Sequence, residues 1–352
     1  MERRPLPPKV FMESEVNAGL PAPDGQPTPP VEAPKYNALM GPRGLRAGWK
    51  YLFFMILLIM CVFFVSIAAA IAFGRPQRGH PIPLHFQYAT QIGEAISVLL
   101  VTALMAKAID KKPFGYFGLP GARAFRSEFW IGAALGFGAL FVQLAIMKAG
   151  GWFDFGPVVL HGVQIVKWGA IWGLFFLCTG FFEEGMLRGY PQRVVTDGFS
   201  FLGPNAGFWL TALIFSTIFA CLHLGNPGET PFGIFMVFVD GVLMCWTLWR
   251  TGTMWFAVGN HAGWDWAQSY FFGTPDSGLP ARHALLSPSF HGPKLLSGGT
   301  TGPEGSVLVL LSEVLIAVAV AIIYRGRRYP LLQDEPPAAP PEPSPVAVPQ
   351  TL

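Results

Sequence analysis

The sequence predicts an all-α, polytopic membrane protein with about eight transmembrane helices around a polar cavity. Three observations carry this reading. Hydrophobic residues make up 52% of the 352 and charged residues only 13%, where a soluble domain has roughly 25% charged. The apolar residues fall in blocks of about twenty, the length a helix needs to cross a bilayer. Lys and Arg gather beside alternate blocks, as the positive-inside rule requires of segments that stay on one side.

The elements follow in order. Residues 1–42 are rich in Pro, Gly and Glu without apolar periodicity, and are expected to be a disordered tail. The first apolar block, Trp49 to Gly74, is too long for the core of a signal peptide and reads as the first transmembrane helix. The second runs from His85 to Ile109 and carries Glu94. A basic, Gly-rich connector leads to the third, Glu128 to Ala149, and 150–167 reads as an interfacial loop. Helix four is Trp168 to Val194, helix five Asn205 to Leu224, helix six Pro231 to Trp249 and helix seven Met254 to Phe272. A polar, Gly/Pro-rich loop, Gly273 to Gly305, precedes helix eight, Ser306 to Tyr324. The transmembrane domain is thus 43–328, and 329–352 forms a second Pro-rich, disordered tail.

Eight spans put both chain ends on one side. Arg43, Arg46 and Lys50 precede helix one, and Arg325, Arg327 and Arg328 follow helix eight. The connector between helices two and three adds Lys107, Lys111, Lys112, Arg123 and Arg126, so this side is expected to be cytoplasmic. A bacterial inner membrane is the expected location. The net charge of +3 is small and points to no nucleic-acid partner. The four cysteines lie in apolar runs with no paired spacing, as buried thiols do.

Against this background one stretch stands out: Phe181-Phe-Glu-Glu-Gly-Met-Leu-Arg-Gly189. A charged side chain costs about 2.5–3.5 kcal/mol at the centre of a membrane helix, and this stretch holds three. Glu184 and Arg188 are four apart with the acid first, the favoured order for an ion pair on one helix face. Glu183 lies about 100° around the helix, which leaves its carboxylate free for chemistry. Helix five contributes Phe219 and His223, one turn apart. Helix seven contributes Asn260, His261 and Asp265, where the 261/265 spacing lets the acid orient the imidazole or point beside it. Each has a plainer reading. The Glu184–Arg188 pair could be a structural staple, His223 a helix–helix hydrogen-bonding residue, and Asp265 an interfacial residue. Glu94 and Asp240 read as helix-end or packing residues.

Taken together, free carboxylates and two histidines on neighbouring helices are the inventory of a water-activating site. A carboxylate in a low-dielectric setting can act as general base on water. A neutral imidazole can hold that water, bind a metal or donate to an oxyanion. Glu183 with His223 and His261 could also ligate Zn²⁺ and leave one position open. The sequence lacks H-E-x-x-H and a G-x-S-x-G elbow, and no matched pair of intramembrane aspartates appears.

Glu183-Glu184-x-x-x-Arg188, Phe219-x-x-x-His223 and His261-x-x-x-Asp265, in this order on three helices, resemble the CPBP family of intramembrane proteases, which includes the CAAX prenyl endopeptidases and bacteriocin-processing or self-immunity proteins. The resemblance covers roughly 85–272. It implies an eight-helix core with a conical catalytic cavity opening toward the cytosol. It further implies an intramembrane endopeptidase, glutamate-dependent or metal-dependent, in which Glu183 and His223 activate water while His261 and residue 265 stabilise the oxyanion. The family's usual residue at that last position is Asn; Asp265 can donate to an oxyanion only when protonated. The implied partners are a peptide or prenylated-protein substrate and the bilayer. The competing reading is a catalytically weak or inactive scaffold or immunity protein of the same fold. A transporter using Glu94, Glu183 and Asp240 would need inverted repeats and broken helices, and the sequence shows neither.

Overall fold

The computed structural model describes residues 37–77, 80–203, 205–280 and 282–330. The expected disorder of the two tails falls on 1–36 and 331–352, outside the described residues. The chain divides into two compact units, Met1–Gly44 and Leu45–Leu352. Of the first, only 37–44 is described; there Asn37 Oδ1 accepts from the Leu39 and Met40 amides at 2.8 Å. The second unit holds the membrane domain.

Its helices are α1 (Ala47–Phe73), α2 (Leu84–Met105), α3 (Ser127–Ala149), α4 (Val163–Arg188), α5 (Tyr190–Gly198), α6 (Ala206–Leu222), α7 (Pro231–Thr251), α8 (Trp255–Asp265), α9 (Lys294–Ser297) and α10 (Val309–Ile323). The protein is a polytopic all-α membrane protein, with helices at the eight expected places. Among the described residues, five segments are long and apolar enough to span a bilayer: 47–73, 84–110, 127–149, 163–198 and 231–251. α6 and α10 are equally apolar but shorter. Large apolar side chains cover the outer surface, as at Ile71, 81% exposed on α1, because the surrounding solvent for such a face is lipid. All four cysteines are free. Cys178 and Cys245 are buried as expected, whereas Cys221 is exposed among these outward-facing residues of α6.

Three element boundaries differ from expectation, each for a local reason. α4 begins at Val163 rather than Trp168, since an apolar turn carrying Val163 and Val166 extends the helix backward. Helix four does not run unbroken to Val194. It breaks at Gly189 (ψ −120°), and α5 restarts with Pro191 in its first turn, where the missing N–H costs nothing. Helix seven is α-helical only to Asp265 and then widens into a π-helical turn, Trp266–Phe271. Such turns often mark functional segments.

What positions α8 is glycine. Gly132 and Gly136 on α3 meet the α8 backbone at Phe256, Asn260 and Trp264, and Gly259 and Gly263 on α8 meet the α3 backbone at Phe129 and Ala133, so each helix presents a small-x-x-x-small stripe to the other. A Cβ at Gly259 would fall well inside 3.0 Å of the Phe129 carbonyl, and one at Gly263 inside 3.0 Å of Ala133 backbone. α4 closes on the same helix at Gly180, where a Cβ would meet the Val258 carbonyl at 3.1 Å. α8 is thus held by direct backbone approach, which fixes the height of every side chain on it. Gly263→Val is therefore expected to prevent assembly, since the opposing atoms are backbone and cannot rotate away. The measurement is the monodisperse yield of detergent-extracted protein; near-normal yield would refute this packing.

The two ends of the bundle are built differently. The end at which α1 begins and α10 finishes is basic and cross-tied. Lys50 and Tyr190 both bind Asp110, at 2.5 and 2.6 Å, Arg123 pairs with Glu128, and the Trp255 indole donates to Pro120 O at 3.1 Å. Buried Arg193 donates to Pro330 O and Tyr116 Oη and pairs with Asp197 at 3.2 Å.

The opposite end is closed by loop 273–308. This loop pairs with the 150–162 connection through the antiparallel strands Phe153–Asp154 and Ser289–Phe290 and the Val158–Leu286 bridge. Thr301 Oγ1 donates to Gly228 O at 2.6 Å and Gln143 Nε2 to Pro303 O at 2.7 Å. The Trp172 indole donates to Arg282 O at 2.8 Å.

Candidate active site

The distinctive residues of α4 and α8 meet because their helices are in backbone contact at Gly180. Glu184 sits fully buried, and its Oε1 accepts from Arg188 Nη1 at 2.6 Å and His261 Nδ1 at 3.0 Å. The i, i+4 pair expected within α4 is therefore also an anchor for α8. At this depth each charge is compensated by the other, while Glu184 Oε2 and Arg188 Nη2 are left without a hydrogen-bond partner. With Nδ1 committed to Glu184, the imidazole turns Nε2 the other way, toward Glu183 Oε2 at 3.5 Å and Asp265 Oδ2 at 3.4 Å. Glu183 keeps 27% of its side chain exposed, to the cavity rather than to the packed interior. Glu184 thus takes the orienting role that the His261/Asp265 spacing left open for Asp265, and Asp265 lies beside Nε2.

His223 is placed differently. Its Nδ1 lies 2.8 Å from the Phe219 carbonyl, one turn back, and its ring meets the Phe219 ring edge-on at 4.5 Å. Phe219 also supports Arg188, whose guanidinium carbon lies 5.0 Å from the ring centroid. Phe219 therefore touches both the buried cation and the second histidine, the former worth about 1–2 kcal/mol as a desolvated cation–π contact. His223 lines the same cavity as Glu183 and His261.

That cavity has a volume of about 1100 Å³. Its walls are the inner faces of α2, α4, α6, α7, α8 and α10, with Trp172, Phe176 and Trp264 among the apolar surfaces. Asn260 also lines it and donates from Nδ2 to Gly132 O at 3.3 Å, a further tie between α8 and α3.

Glu94 and Asp240, read as packing residues, both line the cavity, and Asp240 lies within electrostatic reach of Arg188, Glu184 and both histidines. The resemblance implied a cavity opening toward the cytosol, and the basic residues a cytoplasmic end at the start of α1; the structure sets these two features on opposite halves of the bundle, the cavity running out near His80–Ile82, Asn226, Glu229, Leu279 and Arg282. The reason lies in the register of the helices. On α4 the lining extends from Met186 back to Trp172, and on α8 from Asn260 onward to Ser269, in both cases away from the basic end.

Four more lining carboxyls carry no motif in the sequence: Glu313 on α10, Glu229 just before α7, and Asp276 and Glu304 in loop 273–308. Glu313 carried a signal, as an ionisable residue in an apolar run. The loop pair carried none, because only the fold brings the loop over the site.

The donor set does not make a metal cage as it stands. Among the described residues, no three His, Cys, Asp or Glu side chains are gathered closely enough to hold an ion. Of the three candidate ligands, Glu183 and His261 approach one another, while His223 is turned onto its own helix.

Fold and site together define a multi-pass helical membrane protein with a carboxylate–imidazole site enclosed between its helices. Residues 165–267 match the family described as Type II CAAX prenyl endopeptidase Rce1-like, consistent with a CPBP-type intramembrane protease. The matched segment runs from the first turns of α4 into the π-helical turn after α8 and contains all three motifs. Neither curated proteins nor solved structures gave a match.

Proposed function

We propose that the protein is an intramembrane endopeptidase in which Glu183 activates the attacking water. The observation that carries this is the His261 ring, held by Glu184 at Nδ1 and presenting Nε2 beside a cavity-exposed Glu183. Glu183 takes a proton from water as the oxygen attacks the peptide carbonyl carbon, giving a tetrahedral oxyanion. The same carboxyl then returns that proton to the departing amine nitrogen as the C–N bond breaks, so the carboxylate is regenerated. His261 donates to the oxyanion from Nε2–H, which requires the ring to be the imidazolium, protonated at both nitrogens, with Nδ1–H held in advance by Glu184; such preorganised donors are worth about 10²–10³ in rate. His223 closes the opposite wall and orients the water or the substrate backbone. Asp265 supports His261 while ionised and can donate to the oxyanion only when protonated. Zn²⁺ would need Glu183, His223 and His261 drawn together to hold it.

The basic end is assigned to the cytoplasm, with both termini, in a bacterial inner membrane. The site then opens on the non-cytoplasmic side, where a prenylated cytosolic tail does not reach, which favours an unmodified peptide. The test is cleavage of quenched farnesylated and unprenylated peptides by purified protein, with metal content assayed in parallel. Asp265→Asn supplies an uncharged donor at the oxyanion and is expected to raise cleavage several-fold. A loss would show that the ionised Asp265 is what His261 needs. No cleavage of any peptide by folded wild-type and Asp265→Asn protein would overturn the proposal in favour of a non-catalytic scaffold of the same fold.

A further inference from the structure

The cavity wall is strongly one-signed. Eight carboxyl groups line it, from Glu94 on α2 to Glu313 on α10, against one guanidinium, Arg282 at the rim. Hydrolysis as proposed uses two of them, Glu183 and Asp265. Glu184, the acid paired with buried Arg188, is not in the wall at all.

The surplus acids are poorly satisfied by the protein itself. Glu313 Oε2 is buried without a hydrogen-bond partner, in a membrane helix, on the cavity wall. Asp276 accepts from Ser269 Oγ at a long 3.3 Å, and Glu304 Oε2 accepts from the Ser277 amide at 3.1 Å. These two lie in the loop. Burial, and then the neighbouring Asp265, raises the Asp276 carboxyl well above its usual range. Burial, and then Asp276, pushes Glu304 up to about 8. Acids held this way are stabilised by whatever brings positive charge among them.

We propose that the cavity is built to hold a cationic stretch of peptide, Lys- or Arg-bearing, that enters from the end opposite the start of α1. A cavity of about 1100 Å³ exceeds the usual range for small ligands and suits an extended segment. The mixture of apolar and acidic wall suits Lys and Arg in particular, whose stems lie on apolar surface while the charged head reaches an acid. Trp172, Phe176 and Trp264 offer the apolar surface, and Asp276, Glu304 and Glu313 offer the counter-charge. The segment reaches the site past Leu279, which is 62% exposed at the mouth. The proposal rests on the endopeptidase reading for the fate of the peptide, not for how it is held.

The experiment uses full-length Glu183→Gln protein in detergent, so that binding is read without cleavage. The probes are a fluorescein-labelled Lys-bearing peptide, its Gln version and its Glu version, followed by anisotropy. The Lys peptide is expected to bind about tenfold or more tightly than the Gln version, and the Glu version more weakly still. Adding Glu304→Gln or Glu313→Gln is expected to shrink that preference several-fold. The loop variant remains informative if the helix variant fails to assemble. Equal binding of the three peptides, or a preference indifferent to both substitutions, would overturn the proposal.

Access is read at Leu279→Cys, with Cys61 and Cys221 changed to Ser. An impermeant maleimide is expected to label right-side-out vesicles, and the Lys peptide to protect. Labelling confined to inverted vesicles would overturn the assigned side. The two readings separate cleanly. If wild type cleaves nothing while Glu183→Gln still discriminates by charge, the endopeptidase reading fails and the cationic segment stands. If wild type cleaves the three peptides equally, the reverse holds.

Discussion

Glu183→Gln is expected to lower peptide-bond cleavage by about 10²–10⁴-fold, the range that a positioned general base supplies. The amide keeps the shape of the side chain and its place beside His261 Nε2, but it cannot take the proton from water. The loss should fall on kcat with little change in KM, because the side chain is asked to act on the water and not to hold the peptide. Folding should be unaffected, since Glu183 is partly open to the cavity and is not the carboxylate to which Arg188 is tied. The contrast is with Glu184. Glu184→Ala leaves Arg188 without its carboxylate and His261 without its Nδ1 anchor, so it should lose both stability and activity. Residual cleavage by Glu183→Gln within about tenfold of wild type would remove Glu183 from the role of base.

The distinction between two adjacent glutamates was legible in the sequence, because helical spacing alone sends them to different faces. So were the all-α membrane fold and the pairing of Glu184 with Arg188, each of which follows from local periodicity. The boundary errors were local too, but they concern backbone choices that hydropathy does not register, such as the break at Gly189 and the π-helical turn after Asp265. What spacing could not supply was the partnership between helices. Nothing in His261-x-x-x-Asp265 says that the imidazole turns its Nδ1 to a carboxylate 77 residues earlier. That contact depends on how closely α8 can approach α4 at Gly180, a three-dimensional fact whose sequence trace is only a scatter of glycines. The loop acids Asp276 and Glu304 were invisible for a related reason: a polar Gly/Pro-rich connection gives no periodicity by which to place its side chains. The direction of the cavity carries no local signal either, because only the register of the packed helices puts its lining on the far side from the basic residues.

The largest effect on stability is expected at Arg188. Both members of the Glu184–Arg188 pair are shielded, at 0% and 1% side-chain exposure, and 2.6 Å apart. Removing one partner of such a pair leaves an uncompensated charge and costs about 3–5 kcal/mol. Arg188→Met removes the cation and its seat on the Phe219 ring while preserving much of the stem's volume, so the remaining cost is chiefly that of stranding Glu184. Thermal unfolding in detergent, followed by size-exclusion chromatography, should show a clearly lowered midpoint. The second substitution gives the prediction its edge. In Arg188→Met/Glu184→Gln no charge is stranded, and the introduced amide retains a carbonyl oxygen able to accept from His261 Nδ1. The double variant should therefore be more stable than Arg188→Met alone and should keep measurable cleavage. Arg188→Met/Glu184→Leu should recover stability similarly but lose cleavage, because His261 then has no anchor. Equal activity in the Gln and Leu doubles would show that the pair is a staple between helices and nothing more. A midpoint for Arg188→Met equal to wild type would show that Glu184 does not depend on it for charge. The difference between the two doubles separates the part of this buried pair that holds the bundle together from the part that aims the imidazole.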